Sequence, residues 1–231
     1  MDGSTLVSGD QPGTVKLWNL PPGTEAGSLP LQEWAFVPMA WSPDGAVLMY
    51  MGELYGCPIW LWSRSSGEIR ALPCCGPAVW SPDSTKVACT RETQAVVILE
   101  ASTGEEVTRI ADWEGCLHSL TWNSDGKALV TGWGHTPITS FDAESGQEIR
   151  TLWPGNWQAY FMALRPDETI LATLSAEEFS LRLWGPATGG QLATPAMSVP
   201  SLCWSPNGEY LAAASLEGVV KVWKVSEVVK R

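Results

Sequence analysis

Trp41-Ser42-Pro43-Asp44-Gly45 decides the fold of this chain, because it comes back. It returns as Trp80-Ser81-Pro82-Asp83-Ser84, Trp122-Asn123-Ser124-Asp125-Gly126, Leu164-Arg165-Pro166-Asp167-Glu168 and Trp204-Ser205-Pro206-Asn207-Gly208. The aligned Asp/Asn positions 44, 83, 125, 167 and 207 are 39, 42, 42 and 40 residues apart, and Asp2-Gly3 falls one step earlier. A fixed period in this range marks an array of supersecondary units that bury their apolar faces only against one another.

Each unit reads the same way. Proline presets φ at the second turn position, Asp accepts the third, and glycine takes the left-handed geometry that follows. Short β-type runs flank each turn: Val37–Trp41 with Ala46–Met51, Ala78–Trp80 with Lys86–Thr90, and Leu117–Trp122 with Lys127–Thr131. Ala159–Leu164 pairs with Thr169–Leu174, and Ser201–Trp204 with Tyr210–Ala214. A third strand ends in a large apolar residue 16 to 18 residues past the aligned Asp, at Trp18, Trp62, Leu99, Phe141, Trp184 and Trp223. Thr14-Val-Lys-Leu-Trp18 and Val219-Val-Lys-Val-Trp223 alternate as half-buried strands do. A glycine turn (Ser66-Gly67, Thr103-Gly104, Ser145-Gly146) then leads to a fourth strand such as Glu148–Leu152. Each unit is four strands, a to d, with tight turns and no helix.

The 231 residues are 45% hydrophobic and 17% charged, which suits a single globular array rather than a disordered chain. A formal charge of −11 opposes binding to phosphate backbones. The N-terminus shows neither the basic nor the apolar region of a secretory signal, and no apolar run is long enough to span a bilayer. The six cysteines form no C-x-x-C pair, and with two histidines they make a poor metal set, so reduced, buried thiols, no cofactor and a cytoplasmic location are expected.

Four-stranded units at this period, with Ser-Pro-Asp-Gly turns and Val-Lys-Leu-Trp strands, resemble the WD40 repeats of β-propellers along the whole chain. The resemblance implies an all-β propeller of five to six four-stranded antiparallel blades, with units near 1–29, 35–73, 76–111, 116–153, 158–194 and 199–231. The first unit starts at its a–b turn and has no strand a, while Val225–Val229 is the candidate for the last strand d. This imbalance leaves two expectations: part of a larger, seven-bladed propeller, which the start inside a repeat favours, or an irregular six-bladed ring. The family's Trp-Asp ending is absent, as Trp18-Asn19, Trp62-Ser63 and Trp184-Gly185 show. Its buried His–Ser/Thr–Asp–Trp network is therefore not expected in the usual form, and tryptophan packing must compensate.

No nucleophile elbow, dinucleotide fingerprint or P-loop is present, and His118 reads as a core residue of a strand a, so no catalytic residue is assigned. In this fold the d–a and b–c loops share one face. They carry Trp34, Glu53, Tyr55, Trp113, Glu114, Trp133, Trp157, Glu177 and Glu217. Aromatics beside carboxylates suit Lys or Arg of a partner protein or peptide. The competing expectation is that these tryptophans fill gaps in the core. The chain thus reads as a non-enzymatic interaction scaffold, with no nucleic-acid or membrane partner. The alternative is a TolB-like or hydrolase-associated propeller of a larger enzyme, since Ser-Pro-Asp-Gly turns recur there.

Overall fold

The computed structural model describes residues 3–9, 14–30, 39–51, 58–91, 95–112, 117–133, 137–153, 159–175, 180–195, 201–215 and 219–229. They form six small antiparallel sheets. The first holds β1 (Thr5–Gly9), β2 (Thr14–Asn19) and β3 (Thr24–Pro30). The second holds β4 (Met39–Trp41), β5 (Val47–Met51), β6 (Ile59–Ser63) and β7 (Ile69–Leu72). The third is β8 (Cys75–Trp80), β9 (Lys86–Arg91), β10 (Ala95–Glu100) and β11 (Glu106–Asp112). The fourth is β12 (Leu117–Trp122), β13 (Ala128–Trp133), β14 (Ile138–Asp142) and β15 (Glu148–Trp153). The fifth is β16 (Ala159–Leu164), β17 (Leu171–Ser175), β18 (Leu181–Gly185) and β19 (Gly190–Ala193). The sixth has β20 (Ser201–Trp204), β21 (Tyr210–Ala214) and β22 (Val220–Lys224), after which α1 (Val225–Val228) turns the chain. Each sheet is a meander in sequence order, the blade of an all-β propeller.

The turns form for the reasons their residues suggest. Ser42 donates to Asp44 Oδ1 at 2.5 Å and accepts from the Val47 amide at 2.9 Å, while the Ala46 amide donates to the same carboxylate oxygen at 3.0 Å. Ser81 and Asp83 repeat this at 2.6 Å, and Ser205 with Asn207 at 2.7 Å. The residue after the Asp or Asn takes positive φ: Gly45 at 75° and Gly208 at 68°, but also Ser84 at 65° and Glu168 at 60°. Those two non-glycines hold a strained conformation while also bonding a neighbouring turn. Ser84 Oγ accepts from the Asp44 amide at 3.0 Å, and a Glu168 oxygen accepts from the Ser124 hydroxyl at 2.6 Å.

Two compact units divide the chain: Met1–Thr93 with Val97–Val107, and Gln94–Val96 with Thr108–Arg231. In the first unit, Val15 and Leu29 pack with Leu48, Tyr50 and Trp62, joining first and second sheets. In the second, Leu181, Leu183, Ala172 and Leu174 pack with Leu202, Leu211 and Ala213 of the sixth sheet. Polar stitches follow the same steps. Trp80 Nε1 donates to the Ala40 carbonyl at 3.2 Å, and Trp204 Nε1 to the Ala163 carbonyl at 3.0 Å, each reaching strand a of the preceding sheet. The equivalent indole N–H of Trp41 is buried without a partner. Its preceding sheet begins at β1, with no strand a among the described residues to offer a carbonyl.

Two expectations are corrected. Val225–Val229 is not a strand d. Val225 is buried, its amide donates to the Glu209 carbonyl at 3.0 Å, and Val228 and Val229 pack on the same cluster. Spacing of i, i+3 and i+4 is helical, and it overrides the β preference of valine here. The cysteines are also not all reduced. Cys74 and Cys89 form a disulfide with Cα atoms 6.1 Å apart, and Cys75 is disulfide-bonded too. The β8–β9 hairpin, with a bulge between Cys75 and Ala78, places two residues 15 apart in sequence side by side.

Candidate interaction surface

Within each meander, the a–b and c–d turns lie at one end of the sheet and the b–c and d–a loops at the other. Eight of the nine predicted contact residues, Trp34, Glu53, Tyr55, Trp113, Glu114, Trp157, Glu177 and Glu217, lie outside the described residues. The ninth, Trp133, is the last residue of β13, paired with Leu117 at the start of β12. That places it at the end of strand b, at the b–c end of the fourth sheet, rather than in the loop itself.

The opposite, turn-bearing end is built from carboxylates already engaged by their own loops. Hydrogen bonds from the Ser42 hydroxyl and the Ala46 amide hold the Asp44 carboxyl below its ordinary range. The Ser81 hydroxyl does the same for Asp83, and the Ser145 hydroxyl and amide for Asp142. The Lys127 amide is the main cause at Asp125. For Asp167, burial works in the other direction, and the Thr169 hydroxyl and amide, with Arg165, outweigh it. These groups shape turns, and their anionic form is already satisfied.

Strand-borne tryptophans are likewise committed. Trp184 Nε1 donates to Thr173 Oγ1 at 2.8 Å deep in the fifth sheet, and Trp18 Nε1 to Ser8 Oγ at 2.8 Å in the first. One arm of the family's network, indole to hydroxyl, thus survives in two sheets without the His and Asp. Trp41 lies 6.2 Å from Trp62 and stacks under Arg64 at 5.9 Å. Arg64 in turn donates to Thr5 Oγ1 at 3.0 Å, tying the second sheet to the first strand.

A pocket of about 330 Å³ in the first unit is lined by Val47, Leu61, Ser63, Glu68, Arg70 and Ser102. The Arg70 guanidinium is taken up by the Ser102 carbonyl. Among the described residues, no group of three or more His, Cys, Asp or Glu is placed to hold a metal ion.

Residues 191–224 match the family model "WD domain, G-beta repeat", and residues 78–165 match "Anaphase-promoting complex subunit 4 WD40 domain". The chain belongs to the WD40-repeat family. This WD40 chain is 27% identical over 134 residues to cell division cycle 20.1, cofactor of APC complex, from Arabidopsis thaliana, covering 55% of the chain and 29% of that protein. It is 24% identical over 155 residues to the COMPASS component SWD3 of Saccharomyces cerevisiae, covering 62% and 49%. The chain therefore spans less than half the length of either relative. Among solved structures, the C-terminal WD40 domain of Sif2 superposes with a TM-score of 0.75 at 19% identity, over 98% of this chain and 65% of that one. A chain of the mitotic checkpoint complex gives 0.78 at 18% identity, over 97% and 74%. At these identities the likeness shows the propeller fold.

Proposed function

We propose that this WD40 chain is a non-catalytic scaffold that binds a protein or peptide through its d–a and b–c loop face. The observation that carries this reading is the company its repeats keep: the relatives it resembles are by name a complex cofactor and a complex component. The division of its side chains supports the finer part. Aspartates of the a–b and c–d turns, and tryptophans of the strands, are consumed by structure. The acidic and aromatic residues left for recognition are those of the other loops, Trp34, Glu53, Tyr55, Trp113, Glu114, Trp157, Glu177 and Glu217, with Trp133 at the end of β13, and their chemistry suits a partner bearing Lys or Arg. Strand-c tryptophans and the two family matches favour this over a hydrolase-associated propeller.

Calorimetric titration with a lysine-rich amphipathic peptide, and with its Lys→Glu counterpart, tests the face. Binding of the basic peptide alone, lost in Trp34→Ala/Trp157→Ala at unchanged thermal stability, is the expected result. Equal binding by the double variant would sink the proposal.

A further inference from the structure

Asn207-Gly208 is the one place in the chain where asparagine precedes glycine; Asn19, Asn123 and Asn156 precede Leu20, Ser124 and Trp157. The pairing matters because a side-chain amide can be attacked by the next residue's backbone nitrogen, and glycine puts no side chain in the way. The other four turns carry aspartate in the same slot, at 44, 83, 125 and 167. Those carboxyls are held below their ordinary range and stay ionised, and a carboxylate repels a nucleophile that a neutral amide accepts.

The turn also activates this amide. Ser205 Oγ donates to Asn207 Oδ1 at 2.7 Å, and the Glu209 amide donates to the same oxygen at 3.1 Å. The serine hydroxyl is itself fixed, because its oxygen accepts from the Tyr210 amide at 2.9 Å. Two donors converging on one carbonyl oxygen stabilise the negative charge that builds there when its carbon is attacked. The Gly208 amide donates to the Ser205 carbonyl at 2.8 Å, which gives its proton an acceptor. Asn207 is exposed, so water reaches the turn. At Asn123, by contrast, the following nitrogen belongs to Ser124, carries a side chain and is held by the Glu168 carboxylate at 3.0 Å.

We propose that Asn207 is a self-modification site: in the folded chain it deamidates through a succinimide, with the Ser205 hydroxyl and the Glu209 amide as oxyanion donors. The Gly208 nitrogen bonds to Asn207 Cγ, and the bond from Cγ to the side-chain nitrogen breaks. Ammonia leaves with the proton given up by the Gly208 amide. Water then opens the ring, at Cγ to leave aspartate or at the main-chain carbonyl of residue 207 to leave isoaspartate. Water is consumed, ammonia released, and nothing is oxidised or reduced.

The two products differ in what they do to the fold. Aspartate suits the turn, since Ser42 with Asp44 and Ser81 with Asp83 build it at 2.5 and 2.6 Å. Isoaspartate adds a methylene to the main chain just ahead of Gly208. That glycine is buried, and its carbonyl accepts from Arg165 Nε at 2.8 Å, tying the sixth sheet to the fifth. The longer main chain pulls this tie apart.

The full chain is incubated at neutral pH beside a peptide copying residues 204–210, Trp-Ser-Pro-Asn-Gly-Glu-Tyr. Peptide mapping by mass spectrometry, with isoaspartate-specific enzymatic methylation, reads both products. Asn207 of the folded chain should convert at least as fast as the peptide, while Asn123 stays intact. Ser205→Ala should slow conversion roughly tenfold, less than the loss of such a donor in a buried site because water reaches this one, and Ser205→Thr should restore it. Asn207→Asp should keep the parent's urea midpoint, whereas the isoaspartate fraction should unfold at lower urea. Slower conversion in the fold than in the peptide assigns the turn a protective role and overturns the proposal, a comparison that stands even if Ser205→Ala loosens the turn. An unchanged or faster rate in Ser205→Ala overturns it as well.

Discussion

The indole–hydroxyl bond between Trp184 and Thr173 can be weighed by a double-mutant cycle. Both groups are buried, Trp184 at 3% and Thr173 at 0% exposure, and Nε1 lies 2.8 Å from Oγ1. Thr173→Val keeps the shape but leaves a buried N–H without its acceptor, a cost of about 1–3 kcal/mol. Trp184→Phe strands the hydroxyl instead. It also shrinks a residue packed among Val130, Ile138, Leu152, Met162 and Leu171. A cavity contribution is added to the polar one, for a total of about 2–4 kcal/mol. The double variant leaves no orphaned polar atom. It should cost less than the two single changes together by about 1 kcal/mol or more.

Urea unfolding followed by tryptophan fluorescence reads these differences as midpoint shifts. With a slope of about 2 kcal/mol per molar, the Thr173→Val midpoint falls by about 0.5–1.5 M. If Thr173→Val costs under about 0.5 kcal/mol, or the two single changes add without coupling, the surviving arm of the polar network contributes no stability and the reasoning fails. Ser8, half-buried beneath Trp18, provides the comparison: Ser8→Ala should cost less, because water can replace its hydroxyl.

Two further tests concern groups that shape single turns and hairpins. The Cys74–Cys89 bridge closes a loop of 15 residues, so Cys74→Ser should lower stability by about 3 kcal/mol under non-reducing conditions. Alkylation of the denatured, unreduced chain should spare Cys74 and Cys89 while labelling Cys203; stoichiometric labelling of Cys74 refutes the pairing. Asp83, held below the ordinary carboxylate range in the folded chain, contributes stability that is present above its unfolded pKa and lost as pH falls through the lower folded value. Asp83→Asn should therefore lower the urea midpoint at pH 7 and flatten its loss below about pH 4, while the turn itself persists, because Asn207 already makes the same turn from Ser205. An undiminished acid slope would remove Asp83 from the account.

The legible part of the fold was the part encoded locally. Ser42, Pro43, Asp44 and Gly45 act within five residues, so the turn and its flanking strands follow from sequence, and β12, β16, β20 and β21 run over the expected residues. What escaped needed either long-range register or a competing period. Cys74 meets Cys89 only once the β8–β9 bulge shifts the pairing. Val225, Val228 and Val229 look like strand residues singly and form a helical stripe only as a set. The Trp80 and Trp204 stitches to Ala40 and Ala163 depend on the packing of whole repeats. Trp133 ends a strand, whereas the other eight contact residues lie outside the described residues.

Net charge alone would have misjudged the acidic character of this chain. At −11 the molecule looks uniformly anionic, yet Asp44, Asp83, Asp125, Asp142 and Asp167 each accept hydrogen bonds from their own turn. A carboxylate already satisfied by backbone amides and a serine gains little from a partner's lysine, because binding must first disturb donors that hold it. Glu106 and Glu148 open fourth strands, Glu68 stands just before one, and Glu106 already pairs with Arg91 at 2.9 Å. Under the proposed function, attraction for a cationic partner therefore falls to the glutamates of the b–c and d–a loops.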